Sequence, residues 1–216
     1  MKKLKNADEL IALADRVGIL PYFDCGAGLS VWECTDTRDW WTDTQADPWV
    51  WREVAARSRK VVYSKLFGGK AGFVSLRLFP DLANIRRDGY DFDARYEDGL
   101  AKLREKRIMD CFDNEPFIPS HVLKSTAGFG KGGEKNFPGI VTGLMMQCYL
   151  VTADFAYKVS KKGEKYGMPV CVYARPEDIW DMEGYDVDIS VSRARLEKAL
   201  APFYDDEVIE MFISGK

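Results

Sequence analysis

Eight cations between residues 124 and 175 are the strongest chemical signal in this sequence: Lys124, Lys131, Lys135, Lys158, Lys161, Lys162, Lys165 and Arg175. Only 3 carboxylates share that span, so its local balance is +5 although the whole chain carries −3. Each cation on such a face can neutralise one phosphate of a polyanion, and it is the local face, not the total charge, that sets this attraction. Residues 128–136 (GFGKGGEKN) add four glycines just before a helical pattern. Backbone N–H groups at a helix start can hold a phosphate. The loop is not a nucleotide-binding P-loop, because the four-residue spacing before G-K-Ser/Thr is missing. A solvated, lysine-rich hairpin tip would account for the same residues without any ligand.

Other chemistry is sparser. Asp88, Asp91, Asp93, Glu97 and Asp98 cluster in RRDGYDFDARYED. Paired carboxylates can activate water or hold a divalent cation, but this spacing completes no metal-loop motif. Pairing with Arg86, Arg87 and Arg95, and capping of the next helix, explain them more simply. His121 has no nucleophile or orienting carboxylate beside it in the sequence. The 5 cysteines (Cys25, Cys34, Cys111, Cys148, Cys171) are scattered, with no C-x-x-C pair. Together with the single histidine they supply no metal-ligand set, and the reading requires no metal and no cofactor. Trp40, Trp41, Trp49 and Trp51 could stack on bases, although tryptophans are more often core.

The elements that must position these groups follow from periodicity. Apolar residues make up 46% of the 216 and charged residues 30%, the balance of a globular protein with ample core material. No run nears the ~18 apolar residues of a membrane span. Asp8, Glu9, Asp15 and Arg16 interrupt what would be a signal sequence, so a cytoplasmic location is expected. The pattern predicts helices over 7–17 and 48–57, and strands over 60–67 and 71–79. A boundary is expected in 86–98, followed by an amphipathic helix over 97–112 with Leu100, Leu103, Ile108, Cys111 and Phe112 on one side. Ser120 is expected to cap a short helix to Ala127, and Asn136 a third helix with Val141, Leu144, Met145 and Cys148 as its buried stripe. Strands to Tyr157 and over 166–173 flank a basic hairpin at 158–165. Pro176 opens a short helix, and amphipathic segments cover 190–201 and 205–213. Helix, short helix, loop, helix and basic hairpin are the element order of a winged helix.

The expected fold class is therefore α+β, mainly helical: a winged helix with an N-terminal α/β extension. The expected division is 1–96 as a mixed N-terminal region, 97–182 as the winged helix, and 183–216 as an acidic helical tail. Duplex DNA is the expected partner, with Lys131, Lys135, Thr142, Gln147, Lys158, Lys161, Lys162 and Lys165 as contacts. Gln147 has the amide that pairs with adenine in a groove. The rest of that helix face (Gly139, Thr142, Gly143, Met146) is small and nearly uncharged, which suits weak or shape-based binding.

Three stretches carry a resemblance: LADRVGIL at 13–20, KVVYSKLFGGKAGFVSLRLFPDLANIRRDGY at 60–90, and GKGGEKNFPGIVTGLMMQCYLVTADFAYKVSKKGEKYGMPVCVYARPEDIW at 130–180. In order and content the chain resembles the YcaQ/AlkZ-type winged-helix DNA glycosylases, particularly their short AlkZ-related relatives. The resemblance implies packed winged-helix units that grip duplex DNA in DNA repair, and, in active members, cofactor-free release of alkylated bases. The family's Gln-x-Gln or Gln-x-Asp element follows an N-terminal helix. The matching stretch here, Gly18-Ile19-Leu20-Pro21-Tyr22-Phe23, has neither Gln nor carboxylate. The resemblance thus carries over fold and DNA binding but not chemistry. A relocated glycosylase site using Asp24 or Glu33, and a protein-interaction module with a basic wing, are the alternatives.

Overall fold

The Asn6 side chain accepts from Glu9 N and starts α1 (Ala7–Val17). Such a cap contributes about 1 kcal/mol. Leu10, Leu13, Ala14 and Val17 recur at helical spacing and are buried. The computed structural model describes residues 3–160, 162–182, 185 and 187–215. After α1 the chain enters β1 (Ile19–Pro21). Asp47 and Pro48 open α2 (Pro48–Ser58), the aspartate accepting from Trp49 N and the proline lacking only an N–H that would find no intrahelical partner. A hairpin of β2 (Val61–Phe67) and β3 (Lys70–Ser75) completes an antiparallel sheet of order β1-β3-β2.

The strand expected through Phe79 stops at Ser75. Leu78 N donates to Ser75 O, turning the chain, and Pro80 sits in the first turn of α3 (Phe79–Arg87). Helix α4 (Phe92–Glu97) follows, opened by Asp91, which accepts from Ala94 N. The single helix expected over 97–112 is also interrupted. Gly99 takes a left-handed φ of 73°, and α5 begins only at Leu103 (Leu103–Met109). The break shifts the helical phase, so Leu100 and Leu103 are exposed whereas Ile108 and Phe112 are buried.

Strand β4 (Ile118–Pro119) leads into α6 (Ser120–Thr126), where Pro119 occupies the cap position expected for Ser120. Asn136 precedes α7 (Phe137–Met146) in a left-handed conformation without a side-chain cap bond. Its amide folds over Gly139, where an ideal Cβ would lie 2.5 Å from Asn136 Oδ1, so a larger residue there would have to displace the amide. Strands β5 (Val151–Val159) and β6 (Lys165–Ala174) form the basic hairpin, and β4 joins its far edge, giving the order β4-β6-β5. Pro176–Asp178 form a single 3-10 turn.

Two cores result. One gathers α1, α2, β1, β2, β3 and α3. It also takes Leu196 and Leu200 from α8 (Ile189–Leu200) and Val208, Ile209, Phe212 and Ile213 from α9 (Asp206–Ser214). The other gathers Phe92, Ile108, Phe112, Ile118, Leu123, Phe129, Phe137, Val141, Leu144 and Tyr149. The two meet where Ser64 Oγ, on β2 of the first core, donates to the carbonyl of Leu150 in the second. Strand β5 itself packs into the first core, with Tyr63 6.1 Å from the Phe155 ring. The fold class is thus α+β. Among the described residues, no helix is long and apolar enough to cross a membrane.

Candidate nucleic-acid interface

The hairpin positions its lysines by register. Lys158 pairs with Tyr166 and Val159 with Lys165. The Lys165 ammonium lies 5.4 Å from the Tyr157 ring centroid, a cation–π contact that holds the lysine along the strand. At the tip Ser160 N donates to Glu164 O, and Ser160 Oγ accepts from Lys162 N and Glu164 N. Lys162 and Lys165 are exposed and Lys158 is half-buried; Lys161 lies outside the described residues. Among the described residues, none of Lys158, Lys162 and Lys165 forms an ion pair.

The glycine loop is a second basic element. Gly128 and Gly132 have left-handed φ values of 82° and 81°, and Gly133 N and Glu134 N donate back to Gly130 O and Gly128 O. Glu134 is paired with Arg107, while Lys131 and Lys135 are exposed. Arg175, part of the basic set, is occupied by Asp113 and Asp178.

Helix α7 is seated differently from a free recognition helix. Thr142 is half-buried, and its Cγ2 lies against the β2–β3 turn at Gly69. Gln147, also half-buried, lines a cavity of about 360 Å³ with Arg86, Met146 and Arg193. The structure brings the hairpin lysines together but turns Thr142 and Gln147 toward neighbouring elements.

The residues that hold α7 there are Arg86 and Arg87, read from the sequence as loop partners for the acidic cluster. The Arg86 guanidinium donates to Leu66 O, Met146 O, Phe212 O and Ile213 O, tying the ends of β2, α7 and α9. Burial pulls its pKa below the ordinary arginine value. Arg87 pairs with Glu177, donates to Cys148 O and stacks 4.7 Å from the Tyr149 centroid. The sequence carried no signal for this role, because the helix that ends at Arg87 was not expected and the acceptors lie far away along the chain.

The acidic cluster is engaged as a solvated loop would be. Asp91 caps α4, Asp93 and Asp110 share Lys106, and Asp98 accepts from Tyr90 Oη. Among the described residues no group of His, Cys, Asp and Glu is placed to hold a metal ion.

At 18–23 the chain is built for packing. Ile19–Pro21 pair with β3. Tyr22 is fully buried, donates to Pro48 O at 2.7 Å, and has its phenol pKa driven far up by desolvation. Phe23 is half-buried against Trp32 and Trp40. Asp24 is exposed and accepts from Gly26 N; Glu33 accepts from Ser30 Oγ. Trp40 and Trp51 are core, as expected by default, but Trp41 is 61% exposed.

A family model described as AlkZ related matches residues 4–211, nearly the whole chain. The chain belongs to the AlkZ-related family. Comparison with curated proteins and with solved structures gives no match. In this AlkZ-related chain the hairpin and the glycine loop both expose lysines, and residues 18–22 are buried.

Proposed function

We propose that this AlkZ-related protein is a winged-helix protein that binds duplex DNA and lacks the family's Gln-x-Gln or Gln-x-Asp chemistry. Residues 97–182 would form the DNA-contacting unit, with β5 and β6 as its wing, and the protein would act in DNA repair in the cytoplasm. The observation that carries the reading is the set of lysines without ion pairs on the β5–β6 hairpin of a β4-β6-β5 sheet, whose β4 joins α5, α6 and α7 in the second core while β5 packs on α2 and β2. That order of helices and strands supports a winged helix. Lys158, Lys162 and Lys165 carry the main phosphate contacts, with Lys131, Lys135 and Lys161 contributing. Thr142 and Gln147 contribute less, because both are half-buried, Thr142 beside the β2–β3 turn and Gln147 in a cleft shared with the end of α9.

Binding to random duplex DNA should be weak, salt-sensitive and indifferent to sequence. Replacing Lys158, Lys162 and Lys165 by Ala should weaken unrelated duplexes equally. It should also flatten the slope of log K against log salt by roughly 0.9 for each phosphate that is no longer neutralised. Fluorescence anisotropy over a salt series checks this; an unchanged slope would remove the wing from the interface. In the same samples, alkylated DNA should release no base above the protein-free rate. Release abolished by Asp24→Asn would instead favour a relocated glycosylase site.

A further inference from the structure

Phosphate binding needs only the lysines of the wing, yet the hairpin also exposes large apolar side chains. Met168 is 69% exposed, Val159 60%, Tyr166 53% and Tyr157 43%. They fall within a short stretch of hairpin that carries Lys158, Lys162 and Lys165. The register sets Tyr166 on the same face as Lys158, and Tyr157 and Val159 on the other face with Lys165, so each face of the hairpin carries exposed apolar side chains beside a lysine. Such side chains are common singly, but a group of them on one projecting hairpin marks a contact surface.

The backbone aims part of this group. Between the pairs Ala156–Val170 and Lys158–Tyr166, four steps of β6 face two of β5. The surplus forms a bulge that includes Gly167, with a left-handed φ of 71°, and Met168. A bulge interrupts the ladder and re-aims a side chain. Met168 thus stands at the crest of a bend, and Tyr166 lies next to it opposite Lys158.

The charge of the wing selects among occupants. A second copy of the same hairpin would set lysines against lysines. A neutral apolar groove would leave the ammonium groups without partners. A polyanion with accessible flat, apolar faces satisfies both halves of the surface. Intact duplex presents phosphates and groove edges, but its base faces are stacked away.

We propose that the wing recognises DNA where bases are already unstacked. Tyr166 stacks on an exposed base face, Met168 fills the gap beside it, and Lys158, Lys162 and Lys165 neutralise the flanking phosphates. This inference rests on the DNA-binding function proposed for the wing. Apolar side chains entering a base step and aromatic stacking on unpaired bases are both established sources of binding energy.

The test compares a random-sequence duplex with the same duplex carrying a central bubble of unpaired thymines, using the full chain. The bubble should bind about tenfold tighter, the gain expected from stacking on one base. Tyr166→Ser combined with Met168→Ser should abolish that preference and leave affinity for intact duplex as it was. Tyr166→Phe, which keeps the ring, should retain the preference, and an unchanged thermal melt of each variant shows that the fold is intact. Equal affinity of the parent for both DNAs overturns the inference and leaves DNA binding by the wing standing. Absence of binding to either DNA at low salt overturns both. Tighter binding to vesicles rich in phosphatidylserine than to the bubble would assign the apolar tip to a membrane and overturn the inference too.

Discussion

Arg86 concentrates the energetics of this molecule in one side chain. It is charged and partly buried, and it donates to four neutral carbonyls, those of Leu66, Met146, Phe212 and Ile213. The last carbonyls of α7 and α9 are among them, so the guanidinium satisfies orphan acceptors and lies at the negative ends of two helices. Arg86→Ala strands these acceptors and should destabilise the protein by about 3 kcal/mol. Arg86→Lys should recover only part, since an ammonium cannot span the planar fork. Guanidinium-induced unfolding checks both; an Arg86→Ala midpoint equal to the parent's would remove Arg86 from this role. Cys148 shows a related economy. It follows α7 at a left-handed φ of 64°, where glycine is usual, but its side chain is buried in the first core. The thiol is kept out of solution, and burial raises its pKa.

Among the elements, the pair α4 and α5 shows how one glycine decides phase. A continuous helix over 97–112 would bury Leu100 and Leu103 beside Ile108. Gly99 ends the first helix instead, and Leu100 N donates back to Arg95 O. An ideal Cβ at Gly99 meets nothing within 4 Å, so the cost of Gly99→Ala is purely conformational. It should be about 1 kcal/mol from the positive φ, read as a lowered urea midpoint with an unchanged slope. A variant as stable as the parent would show that the turn relaxes freely. Helix α9 makes the opposite point, since it owes its place to distant residues. Phe212 packs 5.1 Å from Phe67 and 5.0 Å from Tyr204, and its carbonyl is held by Arg86. Ending the chain after Tyr204 should expose Phe67 and leave Arg86 short of two acceptors. The expected result is loss of the cooperative thermal transition; a sharp melt near the parent's would show α9 to be dispensable.

Across the whole molecule, buried phenols set the response to alkali. Desolvation raises Tyr63 to about 12 and Tyr149 to about 12. It also drives Tyr22, Tyr173 and Tyr204 higher still. The unfolded chain ionises these groups near pH 10 while the folded chain keeps them protonated. Above that pH the native state therefore binds more protons, and stability falls as pH rises. The contribution is intact below pH about 10 and is lost as the pH passes through about 12. Tyrosinate absorbance and the far-ultraviolet dichroism should change together in one alkaline transition. Normal titration of every tyrosine with the fold retained would contradict this. Charge is divided on the same scale. The 124–175 stretch is +5 and the 176–216 stretch −7, so salt should weaken the DNA binding proposed for the wing, while the acidic remainder limits non-specific adhesion to polyanions.

Local physics made much of this architecture legible in the sequence. The cap at Asp47, the apolar stripe of α1, the strands β2, β5 and β6, and the basic hairpin all depend on residues near one another in the chain. The absence of Gln and carboxylate from 18–23 was equally plain and needs no coordinates. What the sequence could not determine was which surface each element would bury. The outward face expected for α7 instead meets Gly69 and the cavity beside Arg86 and Arg193, neighbours that lie far from it along the chain. The arginines of 86–87 looked like partners for a neighbouring acidic loop, but carbonyls from β2, α7 and α9 reach them first. Composition and periodicity report which residues leave water; only the tertiary packing decides which neighbours replace it, because a buried donor takes whatever acceptors the whole fold brings within reach.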